Sequence, residues 1–90
     1  MTDATILKLV RSGNRLGIKG LYDKYSVQFL HFIKKVMPHL HHEKAQEVIL
    51  HVIIRTWINR RHLPDSESKL YPWMVSLLHK EVKRYASLPG

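Results

Sequence analysis

The sequence predicts an all-α domain, a compact bundle of three main helices with a short N-terminal helix in front. Three observations carry this. Apolar residues recur at steps of three and four through three long stretches. Gly, Pro, Ser and Asn gather in the gaps between those stretches, where helices stop. No segment alternates apolar and polar residues as a half-buried strand does, and no internal repeat or low-complexity tract is present.

Thr2 or Asp3 can cap a short helix with Ile6, Leu7 and Val10 on one side. Ser12-Gly13-Asn14 ends it, since Gly favours the position just past a helix C-terminus. A long helix then spans about Asn14 to Met37. Its predicted stripe is Ile18, Leu21, Tyr22, Tyr25, Phe29, Phe32, Ile33 and Val36. Gly17 and Gly20 each cost a helix about 1 kcal/mol against Ala, so its first turns are expected to fray. Pro38 stops it.

The link PHLHH carries His39, His41 and His42. No carboxylate or cysteine pattern completes a metal site there, so a solvated loop is expected. The next helix, Glu43 to Arg61, organises the chain. Ala45, Val48, Ile49, Val52, Ile53 and Thr56 form its core face, with Trp57 beside them. Glu43 in its first turn and Arg60 and Arg61 in its last suit the helix dipole. Glu47, Leu50, His51 and Ile54 form a second stripe, off the core face and available to a partner. A turn-rich loop, residues 62–68, follows. Ser68 is expected to cap the last helix, about Lys69 to Ala86, with Pro72 tolerated in its first turn. Leu70, Trp73, Met74, Leu77, Leu78, Val82 and Tyr85 make its buried stripe. Ser76, His79, Lys80, Lys83 and Arg84 lie opposite.

Ninety residues fit one domain, taken as 1–87, with 88–90 as a tail or the start of a linker. Hydrophobic content of 44% and charged content of 24% are globular values. The chain has no cysteine, which excludes disulfides, thiolate zinc and cysteine nucleophiles. No apolar run approaches the roughly 20 residues that span a bilayer, and the N-terminus does not read as a signal peptide. A cytoplasmic protein with no membrane partner is expected. Its net charge of +8 suggests an acidic partner. Seven histidines add charge on acidification, so electrostatic binding should strengthen below about pH 6.

Little in the chain suggests catalysis or a cofactor. No nucleophile elbow, zincin helix, P-loop or dinucleotide fingerprint is present. A binding surface fits better. Arg60, Arg61 and His62 precede the last loop, Lys69 follows it, and Lys80, Lys83 and Arg84 line the outer side of the last helix. With Tyr71 and Trp73 nearby, such a surface suits single-stranded nucleic acid: cations meet phosphates and aromatics stack on bases. Trp73 also sits on the apolar stripe, and a core position is the commoner fate of such a residue.

The segment from Leu21 to Tyr85 resembles region 2 of the extracytoplasmic-function sigma factors, within the sigma-70 family. LYDKYSVQFLHFI is similar to that family's first long helix, AQEVILHVIIRTW to its segment ending in Trp, and KLYPWMVSLL to its L-F-x-W-M segment. ILKLVRSGN resembles its N-terminal helix. The resemblance implies docking on the clamp helices of the RNA polymerase β′ subunit through Gln46, Glu47, Leu50, His51 and Ile54. It further implies capture of a flipped base from the non-template strand of the promoter −10 element. The DNA-side residues are then Arg60, Arg61, His62, Lys69, Trp73, His79, Lys80, Lys83 and Arg84. An anti-sigma factor is a further partner of this family.

Several residues depart from the family pattern. Leu50-His51 stand where the family has Gln and an acidic residue, and Gln46-Glu47 replace its Glu-Asp pair. Lys80 and Arg84 fall where it has Asn and Asp. No region 4 is expected within these ninety residues. The main expectation is a divergent sigma region 2 domain that binds polymerase and promoter. The alternative is a sigma-like module that binds an anti-sigma factor or another helical protein without touching DNA. A basic helical bundle without a sigma role is the third.

Overall fold

The computed structural model describes residues 2–86. The predicted domain end at 87 and the tail 88–90 lie outside them. Four helices follow one another: α1 (Asp3–Arg11), α2 (Leu16–Val36), α3 (His42–Ile58) and α4 (Leu70–Ala86). Two short 3-10 turns, Arg60–His62 and Glu67–Lys69, shape the loop between α3 and α4. The described residues contain no strand, so the all-α bundle of three main helices and a short first one is the observed architecture. No helix among them is long and apolar enough to cross a membrane.

Thr2 caps α1, its Oγ1 accepting from the Thr5 N–H at 3.2 Å. At the other end the Asn14 N–H donates to Leu9 O and the Gly13 N–H to Val10 O. This is the Schellman arrangement, and it needs the left-handed backbone that Gly13 adopts at φ +76°. The Asn14 side chain then accepts from the Leu16 N–H at 3.0 Å, so α2 starts two residues later than expected.

Gly17 corrects the expectation of a fraying start. It is buried, and a Cβ there would lie 2.7 Å from Val10 Cγ2 and 2.8 Å from Val10 N. The residue is a contact point where the backbones of α1 and α2 meet. Further along α2, Leu21, Tyr25, Phe29 and Ile33 are buried at four-residue steps. Tyr22 and Val36, placed on this stripe by the sequence, are exposed instead. Tyr22 falls one residue off the buried row and turns toward α3, where its hydroxyl donates to Gln46 Oε1 at 3.3 Å. Val36 ends the helix one turn past the last buried residue, Ile33.

All six residues expected on the core face of α3 are buried. The helix begins at His42, so one of the link histidines belongs to it, and ends at Ile58. Asn59 stops it, both its N–H and its side-chain amide donating to Arg55 O. Arg60 and Arg61 therefore sit in the 3-10 turn and not in the last turn of α3. Ser68 is not the cap of α4. Ser66 caps the second 3-10 turn, accepting from the Ser68 N–H at 3.3 Å, and α4 starts at Leu70.

Leu70, Met74, Leu78 and Val82 line the inner side of α4. Tyr71 stacks with Tyr25 and Phe29, ring centroids 5.6 and 6.0 Å away, inside the bundle. Asp3 ties α1 to α2 by accepting from the Tyr25 hydroxyl and pairing with Lys24 Nζ at 2.9 Å. The Tyr25 hydrogen bond and then Lys24 hold the Asp3 carboxyl below its ordinary value. Burial, followed by the Asp3 contact, pushes the Tyr25 phenol up.

Candidate docking face and basic loop end

α3 uses every side. Its core face packs inward. On one flank Gln46, half-buried, meets Tyr22 of α2. On the other flank Arg55 and His51 meet Glu81 of α4. Arg55 Nε lies 3.2 Å from Glu81 Oε1, and His51 Nδ1 lies 3.7 Å from Glu81 Oε2. Directly opposite the core stand Glu47, Leu50, Ile54 and Ile58. The three aliphatic side chains are 45, 49 and 65% exposed, so no element among the described residues covers them.

The stripe read from the sequence is therefore a surface, and the structure sorts its members. Glu47, Leu50 and Ile54 point outward. His51 is half-exposed at the edge toward α4, and Gln46 turns toward α2. Ile58 extends the ridge by one more turn, and its place four residues after Ile54 was the sequence signal for it. A shallow depression beside the ridge is lined by His51, Ile54, Arg55, Ile58 and Asn59.

Glu81 was not anticipated. It is 5% exposed on the inner side of α4, and its Oε2 accepts no hydrogen bond. Its spacing of three residues from Leu78 was visible, but its partner on another helix was not. Burial of this carboxylate requires a cation, and Arg55 supplies it.

The basic residues form two groups. Arg61, His62 and Lys69 are exposed around the loop. Arg60 belongs there too, but it is half-buried: its guanidinium sits 4.8 Å from the Trp57 ring centre and donates to Trp57 O. Lys80, Lys83 and Arg84 lie on the far half of α4. Lys69 closes the 3-10 turn just before α4, and at 1.5 Å per helical residue Lys80 stands about 15 Å along the axis from Leu70, the first residue of α4. Trp73 is half-buried against the core, and His79 meets Phe32 edge-on at 4.7 Å. The expected site thus contains a loop-end cluster and a separate helix-face cluster. Tyr71, in the aromatic stack, is not part of either.

A residue missed by the sequence reading holds the loop. Arg11 Nη2 reaches Leu63 O at 3.1 Å, Pro64 O at 2.6 Å and Asp65 Oδ1 at 3.2 Å. These acceptors are more than fifty positions away, so nothing local in the sequence marks them. The histidines of the link do not gather with other ligands: among the described residues no three His, Cys, Asp or Glu side chains are placed to hold a metal ion.

Comparison with family models, with curated proteins and with solved structures finds no match to this chain.

Proposed function

We propose that the chain is a protein-docking domain of the sigma region 2 type, with the outward face of α3 as its dock. The observation that carries this is the exposed ridge of Leu50, Ile54 and Ile58 on a helix whose opposite face is core and whose flanks make contacts to α2 and α4. A single helix offering an apolar row suits a helical partner, whose own side chains fill the gaps between turns. The polymerase clamp helices are the partner that the resemblance of the sequence implies. Arg61, His62 and Lys69 at the loop end are the groups offered to a single promoter strand.

Titration of the domain with an isolated clamp-helix fragment tests the dock. The reading expects micromolar binding that is lost on Leu50→Glu. Titration with a −10-type single strand tests the DNA arm. With about three phosphate contacts at most, log K falls against log salt with a slope near −2. A flat salt response removes DNA from the proposal.

A second reading keeps the dock and drops the DNA. Arg60 is held by Trp57, and Lys80 and Lys83 lie well away from the loop, so the cationic groups do not converge on one strand path. Under this reading the domain binds an anti-sigma factor or another helical protein through the same ridge. Clamp-helix binding without strand binding favours a protein partner alone.

A further inference from the structure

The outward face of α3 is complementary to itself. Its charges along the flanks are largely neutralised within the chain: Arg55 by Glu81, and Lys44 with Glu47 at 3.4 Å. What remains is an apolar ridge with Glu43, exposed, at the N-terminal end and Arg61, exposed, just past the C-terminal end. Charges of opposite sign at the two ends of one stripe match those of the same stripe turned end for end.

We propose that two copies of the chain pair through α3, antiparallel about a two-fold axis, and that this pairing masks the dock. An axis between Leu50 and Ile54 sets Leu50 of each protomer beside Ile54 of its partner. The same register sets Glu47 beside Ile58 and brings Glu43 to the partner's C-terminal end, just past which Arg61 stands in the 3-10 turn. Glu43, Glu47, Leu50, Ile54 and Ile58 follow one another at steps of three and four on the outward side of α3, as the seam of a helix pair requires. A strongly acidic partner is less suited to this ridge, because the two cations on its flank, Lys44 and Arg55, are each paired within the chain.

The net charge of +8 opposes the association. Most of that surplus lies on α1, α2 and α4, away from the ridge. At physiological ionic strength the Debye length is about 8 Å, so the repulsion is largely screened while contacts at the ridge persist. The dimer therefore weakens at low salt, opposite to nucleic-acid binding.

The masking of the dock rests on the proposed function, but the association does not. Sedimentation equilibrium of the chain at about 0.2 mM reads it without polymerase, and detects dissociation constants well into the micromolar range. A dimer is expected at about 0.15 M salt, with Ile54→Asp giving a monomer of unchanged helical content. Glu43→Arg and Arg61→Glu each place like charges at both ends of the pair, so each weakens the dimer by about tenfold. An equimolar mixture of those two variants places opposite charges at both ends and restores association. A chain that is monomeric at that concentration overturns the proposal. So does a dimer that survives Ile54→Asp, or a mixture that associates no better than its parts. If the dimer fails, clamp-helix binding is unaffected as a claim; if clamp-helix binding fails, the dimer stands on its own data.

Discussion

Arg55 and Glu81 join α3 to α4 through a carboxylate whose side chain is 6% exposed and a guanidinium that remains half in solvent. The pair fixes how the two helices meet beneath the outward ridge. Removing Arg55 leaves a buried charge without its main partner. Loss of one member of a fully buried pair costs about 3–5 kcal/mol, and the exposure of Arg55 brings Arg55→Ala to about 2 kcal/mol. Glu81→Leu removes charge and desolvation together and should be near neutral. Urea unfolding of the two variants checks the contrast. Equal losses in both contradict it.

Gly17→Ala should destabilise, although Ala is the better helix former by about 1 kcal/mol. The new methyl meets Val10 side chain and backbone at under 3 Å, so α1 must move away from α2. Overpacking of this kind costs about 1–3 kcal/mol. Thermal melting shows it, and a stabilised Gly17→Ala variant would mean that the helices give way freely.

Acid should loosen α1 before the rest of the bundle. The Asp3 carboxyl is held below its ordinary value by Tyr25 and Lys24. A depressed carboxylate contributes stability that is present above its unfolded pKa, about 4, and lost as pH falls through the folded value. The Tyr25 phenol, pushed up, works at the other end. Its contribution is present below the unfolded value of about 10 and lost as pH rises through the folded one. Asp3→Asn should flatten the acid limb of a stability–pH profile. An unchanged acid limb in that variant removes Asp3 from the account.

Arg11→Ala should release the loop between α3 and α4 while leaving the core packed. Three oxygens lose one charged donor, worth about 1–3 kcal/mol. Hydrogen exchange should rise across residues 60–69 and stay unchanged at Phe29 and Ile53. Uniformly faster exchange would make Arg11 a general stabiliser and not a clamp on the loop.

The helices and their core faces were legible because periodicity is a local signal. The six buried residues of α3 follow from spacing alone, and so does the ridge through Leu50 and Ile54. What depended on a second element was not legible. Gly17 reads as a weak point until Val10 is seen against it. Nothing local marks Glu81 as buried beside a cation, because Arg55 arrives from another helix. Nothing local marks Arg11, because the loop that folds back onto it lies more than fifty positions away. The basic residues share a charge sign and not a place, and only the axial rise of α4 separates Lys80 from Lys69.

The central claim is that the outward ridge of α3 is a protein dock. The most direct measurement compares the affinity of the clamp-helix fragment for the unaltered chain and for Ile54→Glu, with circular dichroism of both. Ile54 is half-exposed on the outward side of α3, so the fold should survive the change. The account predicts micromolar binding that falls by at least about a hundredfold in the folded variant, a loss of roughly 3 kcal/mol. Equal affinity for the two folded proteins would contradict it and move the dock off α3.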